Sequence, residues 1–136
     1  MELKPIKIQK NIFKIPIDNN EFIEINLNDN EFLSNLQKLK KLTTEEYPKF
    51  DSGSTDKDFE NLSVYCNEMS KLIDLMFGCG IVYRIFGVSN PTIDVLADFM
   101  EQISPYLELA TKQIQNKLEK RYNAYEKRAE TRESHK

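Results

Sequence analysis

Apolar and polar residues alternate along the first part of the chain. Phe13, Ile15 and Ile17 fall on one side of a period-two pattern. After Asp18-Asn19-Asn20-Glu21, Ile23, Ile25 and Leu27 do the same. Two such runs separated by Asp and Asn predict a β-hairpin over residues 12–27. The asparagines tolerate the left-handed backbone of a tight turn. Pro16 has no N–H to donate, so its strand is expected at an edge or with that position facing outward. Ile6 and Ile8 either prolong the first strand or start a short one of their own. A lone hairpin is marginal in water, so its apolar face must cover helices or meet another chain.

The period then changes to that of a helix. Asn28 predicts an N-cap, with Glu31 at the capping-box position and Leu27 and Phe32 as a hydrophobic staple. Phe32, Leu33, Leu36, Leu39 and Leu42 make the apolar stripe of a first helix over 29–42, and Lys38, Lys40 and Lys41 suit its last turns. From 43 to 56 the pattern dissolves. Tyr47-Pro48 and Asp51-Ser52-Gly53-Ser54-Thr55 read as a polar loop. A second helix over 58–77 carries Phe59, Leu62, Tyr65, Cys66, Met69, Leu72, Ile73, Met76 and Phe77. It stops at Phe77-Gly78-Cys79-Gly80. That corner continues through Ile81–Phe86, expected as a short helical turn, to Gly87, where glycine supplies the positive φ of a helix end. The third main helix, over 91–118, opens with Asn90 as cap and Pro91 at the first position. Its stripe runs Ile93, Leu96, Ala97, Met100, Ile103, Leu107, Ala110 and Ile114, with Pro105 inside, which should kink it or split it at Ser104. Beyond Leu118 the stripe thins to Tyr122 and Tyr125. The pattern therefore predicts an α+β, mostly helical domain over 1–118, with an N-terminal β-hairpin packed on three main helices, the last long and kinked. Residues 119–136 form a charged tail, helical or disordered.

Charge changes this picture at one end. The 136 residues carry 19 basic and 22 acidic side chains, a net −3, with 40% apolar and 30% charged residues. From Lys112 onward there are 8 basic residues against 4 acidic, which leaves 11 against 18 before it. An acidic body thus carries a basic tail. Two cysteines, Cys66 and Cys79, and one histidine, His135, build neither a disulfide framework nor a zinc site. The N-terminus lacks the apolar core of a signal peptide, and no apolar run approaches the ~20 residues that span a bilayer. A cytoplasmic protein with no membrane association is the expectation.

Candidate chemistry is sparse. Gly78-x-Gly80 follows a helix rather than a strand and lacks the Gly-Lys-Ser/Thr of a phosphate loop. Asp74, Asp94, Asp98 and Glu101 fall on the polar faces of their helices, away from the apolar surroundings that acid–base work requires. A cysteine nucleophile would need a base, and the sole histidine is terminal. No enzyme activity, cofactor or metal is expected. Lys117, Lys120, Arg121, Lys127 and Arg128, interleaved with Tyr122 and Tyr125, are candidates for contact with nucleic acid or an acidic partner. Against that, Glu119, Glu126, Glu130 and Glu133 interrupt the positive field, and several are spaced to pair with the bases along a solvated helix.

The order of elements carries a resemblance. Glu24-Ile25-Asn26-Leu27-Asn28-Asp29 leads from a hairpin into a helix. A later helix ends Leu75-Met76-Phe77-Gly78-Cys79-Gly80, the turn reads Arg84-Ile85-Phe86-Gly87, and the next helix opens Asn90-Pro91-Thr92. Over residues 13–114 this resembles the small tail assembly chaperones of siphophages and prophages of Gram-positive bacteria, whose corner reads Phe-Gly-x-Gly, three residues, a basic and an aliphatic residue, then Phe-Gly. Phe77, Gly78, Gly80, Arg84, Ile85, Phe86 and Gly87 match that corner, as packing residues or partner contacts. The stripe of Leu96, Phe99, Met100 and Ile103 matches the apolar helix that follows. The resemblance implies a non-catalytic protein of the bacterial host cytoplasm that binds the tape measure protein or tail tube components and self-associates into homo-oligomers. Wide stripes and a free hairpin edge suit such a role. The long charged tail departs from the family pattern.

Overall fold

The computed structural model describes residues 2–18, 20–46 and 55–134. Asn19, the Tyr47-Pro48 break, the turn residues 51–54 and His135 lie outside them. The order is β1 (Ile12–Ile17), β2 (Glu21–Asn26), α1 (Asn30–Glu45), α2 (Thr55–Phe77), α3 (Ile81–Phe86) and α4 (Ile93–Ser134). It is the α+β, mostly helical architecture expected, opening with an antiparallel hairpin and ending in a long helix. Two compact units divide it, Met1–Glu101 and Gln102–Lys136.

In the first unit the hairpin pairs Phe13 with Ile25 and Ile15 with Ile23. Asn20 takes the left-handed turn conformation at φ 61°. Ile15, Ile23, Ile25 and Leu27 are buried on the inner face, at about 1.5–3 kcal/mol each. On the outer face Lys14 lies 3.8 Å from Glu24 and 5.9 Å from the Phe22 ring centre. The Leu27 N–H donates to the Asn11 carbonyl at 2.9 Å, which makes 11 and 27 a hydrogen-bonded pair. Such pairs alternate along an antiparallel ladder. Positions 12, 14 and 16 of β1 therefore turn their backbone nitrogens to the open edge, and Pro16 costs the ladder nothing. Leu3, Ile6 and Ile8 are exposed and belong to no strand.

Helix α2 is central to this unit and packs against α1, α3 and β2. Tyr65, Cys66, Met69, Ile73, Met76 and Phe77 are buried along it, opposite Phe32, Leu36, Leu39 and Leu42 of α1. The Tyr65 hydroxyl donates to the Leu42 carbonyl at 3.3 Å and ties α2 to the end of α1.

Several boundaries differ from the sequence reading. Asp29, not Asn28, caps α1, accepting the Glu31 N–H at 2.9 Å. The Asn28 amide instead donates to the Gln9 carbonyl at 2.7 Å. The capping box and staple expected from Asn28 are thus one residue out of step. Helix α1 also runs three residues past Leu42. Thr43 and Thr44 lie within it, their hydroxyls donating to the Leu39 and Lys40 carbonyls. The lysines then fall short of its last turn. The first fully buried side chain of α2 is Tyr65, and Phe59 is 64% exposed. Asn90 does not cap α4. Its amide donates to the Ser63 carbonyl and hydroxyl at 3.3 and 3.2 Å, and the helix starts at Ile93, so Pro91 precedes it. Pro105 lies inside α4, which is not split at Ser104. In the second unit Ile103, Leu107 and Ala110 are buried and Ile114 is half-buried. The charged end is helical to Ser134.

The Ser70 hydroxyl, buried within α2, has no hydrogen-bond partner. An unsatisfied buried polar group costs about 1–3 kcal/mol. Ser70→Ala is expected to hold or raise the thermal midpoint, read by circular dichroism. A fall of several degrees would mean that the hydroxyl has a partner.

Candidate partner-binding corner and charged helix

The corner is built by the way α2 ends. The Gly78 N–H donates to the Asp74 carbonyl at 2.9 Å, closing the last turn. Gly78 then adopts φ +128°, Gly80 +81° and Gly87 +75°. A Cβ would meet nothing within 4 Å at any of them. Backbone conformation, not crowding, is what asks for glycine. The demand is strongest at Gly78, where φ lies beyond the left-handed region that Asn can share.

Gly80 occupies the N-cap of α3 and has no side chain to cap with. Asp74 supplies the missing acceptor, its Oδ1 taking the Val82 N–H at 2.9 Å. Asp74 is half-buried rather than lying idle on a polar face. Sequence reasoning missed this role. The available signal was an acidic residue one turn before a glycine stop, ahead of a short helix without its own cap. At the other end, the Gly87 N–H donates to the Tyr83 carbonyl at 2.8 Å and closes α3.

Three rings lock the corner to the start of α4. Phe86 meets Phe99 edge-on at 5.2 Å between centroids, and Phe77 meets the same ring at 6.5 Å. Each such pair adds about 0.5–1.5 kcal/mol beyond the area it buries. Ile85 is half-buried beside them in sequence. Arg84 reaches the hairpin instead. Its Nη2 donates to the Phe22 carbonyl at 3.3 Å, and its Nε lies 3.8 Å from Glu21. Both side chains are half exposed, so the ion pair itself contributes at most about 1 kcal/mol. The seven corner residues thus serve packing, turn geometry and a tether to β2. The apolar side chains that face solvent next to them in sequence are Leu75, Tyr83 and Val88, 68%, 64% and 49% exposed. The sequence pattern did not single these out.

In the second unit every described side chain from 115 to 132 is exposed. At about 100° per residue, Leu118, Tyr122, Tyr125 and Ala129 form one stripe along α4. Lys117, Arg121, Arg128 and Arg132 follow one edge of that stripe. Glu119, Glu126 and Glu130 follow the other. Lys120 and Lys127 lie on the back, between the two edges, and share a surface groove with Glu126 and Glu130. Glutamates do not interrupt the positive field, as their spacing in the sequence suggested. They lie across the helix from Arg121 and Arg128, and among the described residues no ion pair joins acid to base along this stretch.

Burial pushes the Cys66 thiol up from its usual range, away from the reactive thiolate. Among the described residues no cluster of three His, Cys, Asp or Glu side chains is arranged to hold a metal ion. Among the same residues no helix is long and apolar enough to cross a membrane.

Residues 18–136 match a family of unknown function, DUF6673. The chain belongs to the DUF6673 family. The match spans the hairpin turn, the corner and the charged helix, so both candidate surfaces lie within the DUF6673 region. No curated protein and no solved structure matches the chain significantly.

Gly78→Ala is expected to cost about 1–3 kcal/mol, because it forces a side chain into a region reserved for glycine. Gly80→Asn, at a φ that Asn tolerates, should cost less. Denaturant melts of the two variants check this, and equal losses would mean that φ is not what the corner demands.

Proposed function

We propose that this DUF6673 protein is a tail assembly chaperone-like protein, non-catalytic and acting in the host cytoplasm. In this reading it binds the tape measure protein, or tail tube components, and self-associates during virion tail assembly. The observation that carries the reading is the Phe-Gly-x-Gly and Arg-Ile-Phe-Gly corner, the residues on which the family resemblance rests. Its residues are engaged in holding a turn rather than in reaction chemistry. Leu75 of α2, Tyr83 of α3 and Val88 after it are exposed, side chains suited to an apolar face of a helical partner. Co-expression with the tape measure protein of the same tail tests it. The two should co-purify, and Leu75→Asp with Tyr83→Asp should abolish co-purification while leaving the circular dichroism spectrum unchanged. A folded protein that never retains the tape measure protein overturns the reading.

A second reading rests on the sorting of charge along α4. Lys127, Lys120, Lys117, Arg128 and Arg121 occupy an exposed arc free of carboxylates, which suits a phosphate backbone. A nucleic-acid-binding accessory protein would bind DNA or RNA with steep salt dependence, and binding would vanish when residues after Leu118 are removed. Affinity indifferent to salt, or unchanged by that truncation, rejects it.

A further inference from the structure

The exposed half of α4 carries an apolar stripe between two edges of opposite charge, and this arrangement selects its own copy as occupant. Leu118 and Tyr125 take the d positions of a heptad, and Tyr122 and Ala129 the a positions. Arg121 and Arg128 then fall at g, and Glu119 and Glu126 at e. Leu118, Tyr122 and Tyr125 are 61%, 63% and 72% exposed, although the same helix is buried at Ile103, Leu107 and Ala110.

We propose that residues 118–129 of α4, a short seam bounded by Gln115 at a and Arg132 at d, pair with the same residues of a second copy of this chain, as a parallel two-stranded coiled coil. Direction follows from charge. In a parallel pair the g edge of one helix faces the e edge of the other, so Arg121 meets Glu126 of the second copy, and the reverse contact forms by symmetry. In an antiparallel pair g faces g and e faces e, which sets arginine against arginine and glutamate against glutamate. The same edges argue against nucleic acid as the occupant of the stripe. Phosphates would meet the basic edge alone, leaving Tyr122 and Tyr125 uncovered and Glu119 and Glu126 without a partner from the ligand. The pairing does not depend on the tail-assembly reading, because it needs no second protein.

The full chain is tested alone, by sedimentation equilibrium over a wide concentration range. The mass is expected to rise from 16.0 kDa toward twice that value. Arg121→Glu and Glu126→Arg should each raise the dimer dissociation constant about tenfold or more. The double variant should return it toward the starting value. Leu118→Asp should leave only monomer, with helicity unchanged because Leu118 is exposed in the single chain. An antiparallel pair in which Arg121 faces Arg128 of the second copy would instead be strengthened by Arg121→Glu. A monomer at every concentration, strengthening by a single reversal, or a double variant as weak as the singles overturns the proposal.

Discussion

The first unit depends on one backbone demand, that the chain leave α2 and re-enter a helix within three residues. No side-chain-bearing residue meets that demand comfortably at Gly78. Gly80, at the N-cap of α3, has no side chain to cap with, and Asp74 supplies the acceptor from within α2. The two helices are therefore joined twice, through the chain and through a carboxylate. With α3 fixed in this way, Phe86 reaches Phe99 and Arg84 reaches the Phe22 carbonyl. The short helix acts as a spacer that sets both the start of α4 and the tip of the hairpin against α2.

Much of this was legible in sequence because it is local. Period-two alternation with Asn at the turn gives the hairpin, and glycine spacing gives the bounds of α3. Where the reading slipped, a distant group had claimed the residue. Asn28 and Asp29 are both good caps, and only the Gln9 carbonyl, 19 residues away, decides that Asn28 is occupied. Asn90 is likewise drawn to Ser63, across 27 residues. Thr43 and Thr44 look like helix breakers, yet α1 runs through both to Glu45. Phe59 exposes a different limit. Periodicity tells which face of a helix is apolar, but not where along its length the core stops. At the corner, the glycine conformations could be read from the sequence and the Asp74 cap could not. The cap joins residues eight apart across a turn that had to be known first.

The charged helix reverses the usual relation between composition and structure. Counted along the chain, its acids and bases look mixed. Sorted around the helix, they form two continuous edges flanking tyrosines and a leucine. A solvated helix would gain most from i,i+4 pairs on its surface, yet Glu126 and Glu130 stand four apart with like charge. The arrangement gives up most local i,i+4 pairing along this stretch of the helix.

The open edge of β1 has a consequence for how the protein behaves when crowded. Its outward nitrogens belong to Ile12, Lys14 and Pro16, and the last has no hydrogen to offer. A foreign strand laid along that edge would lose a rung at Pro16 and would have to accommodate the charge of Lys14 midway. Two strands that end in such a selvage resist fibre growth. The sheet can stay small and uncovered on one side without becoming a template for aggregation.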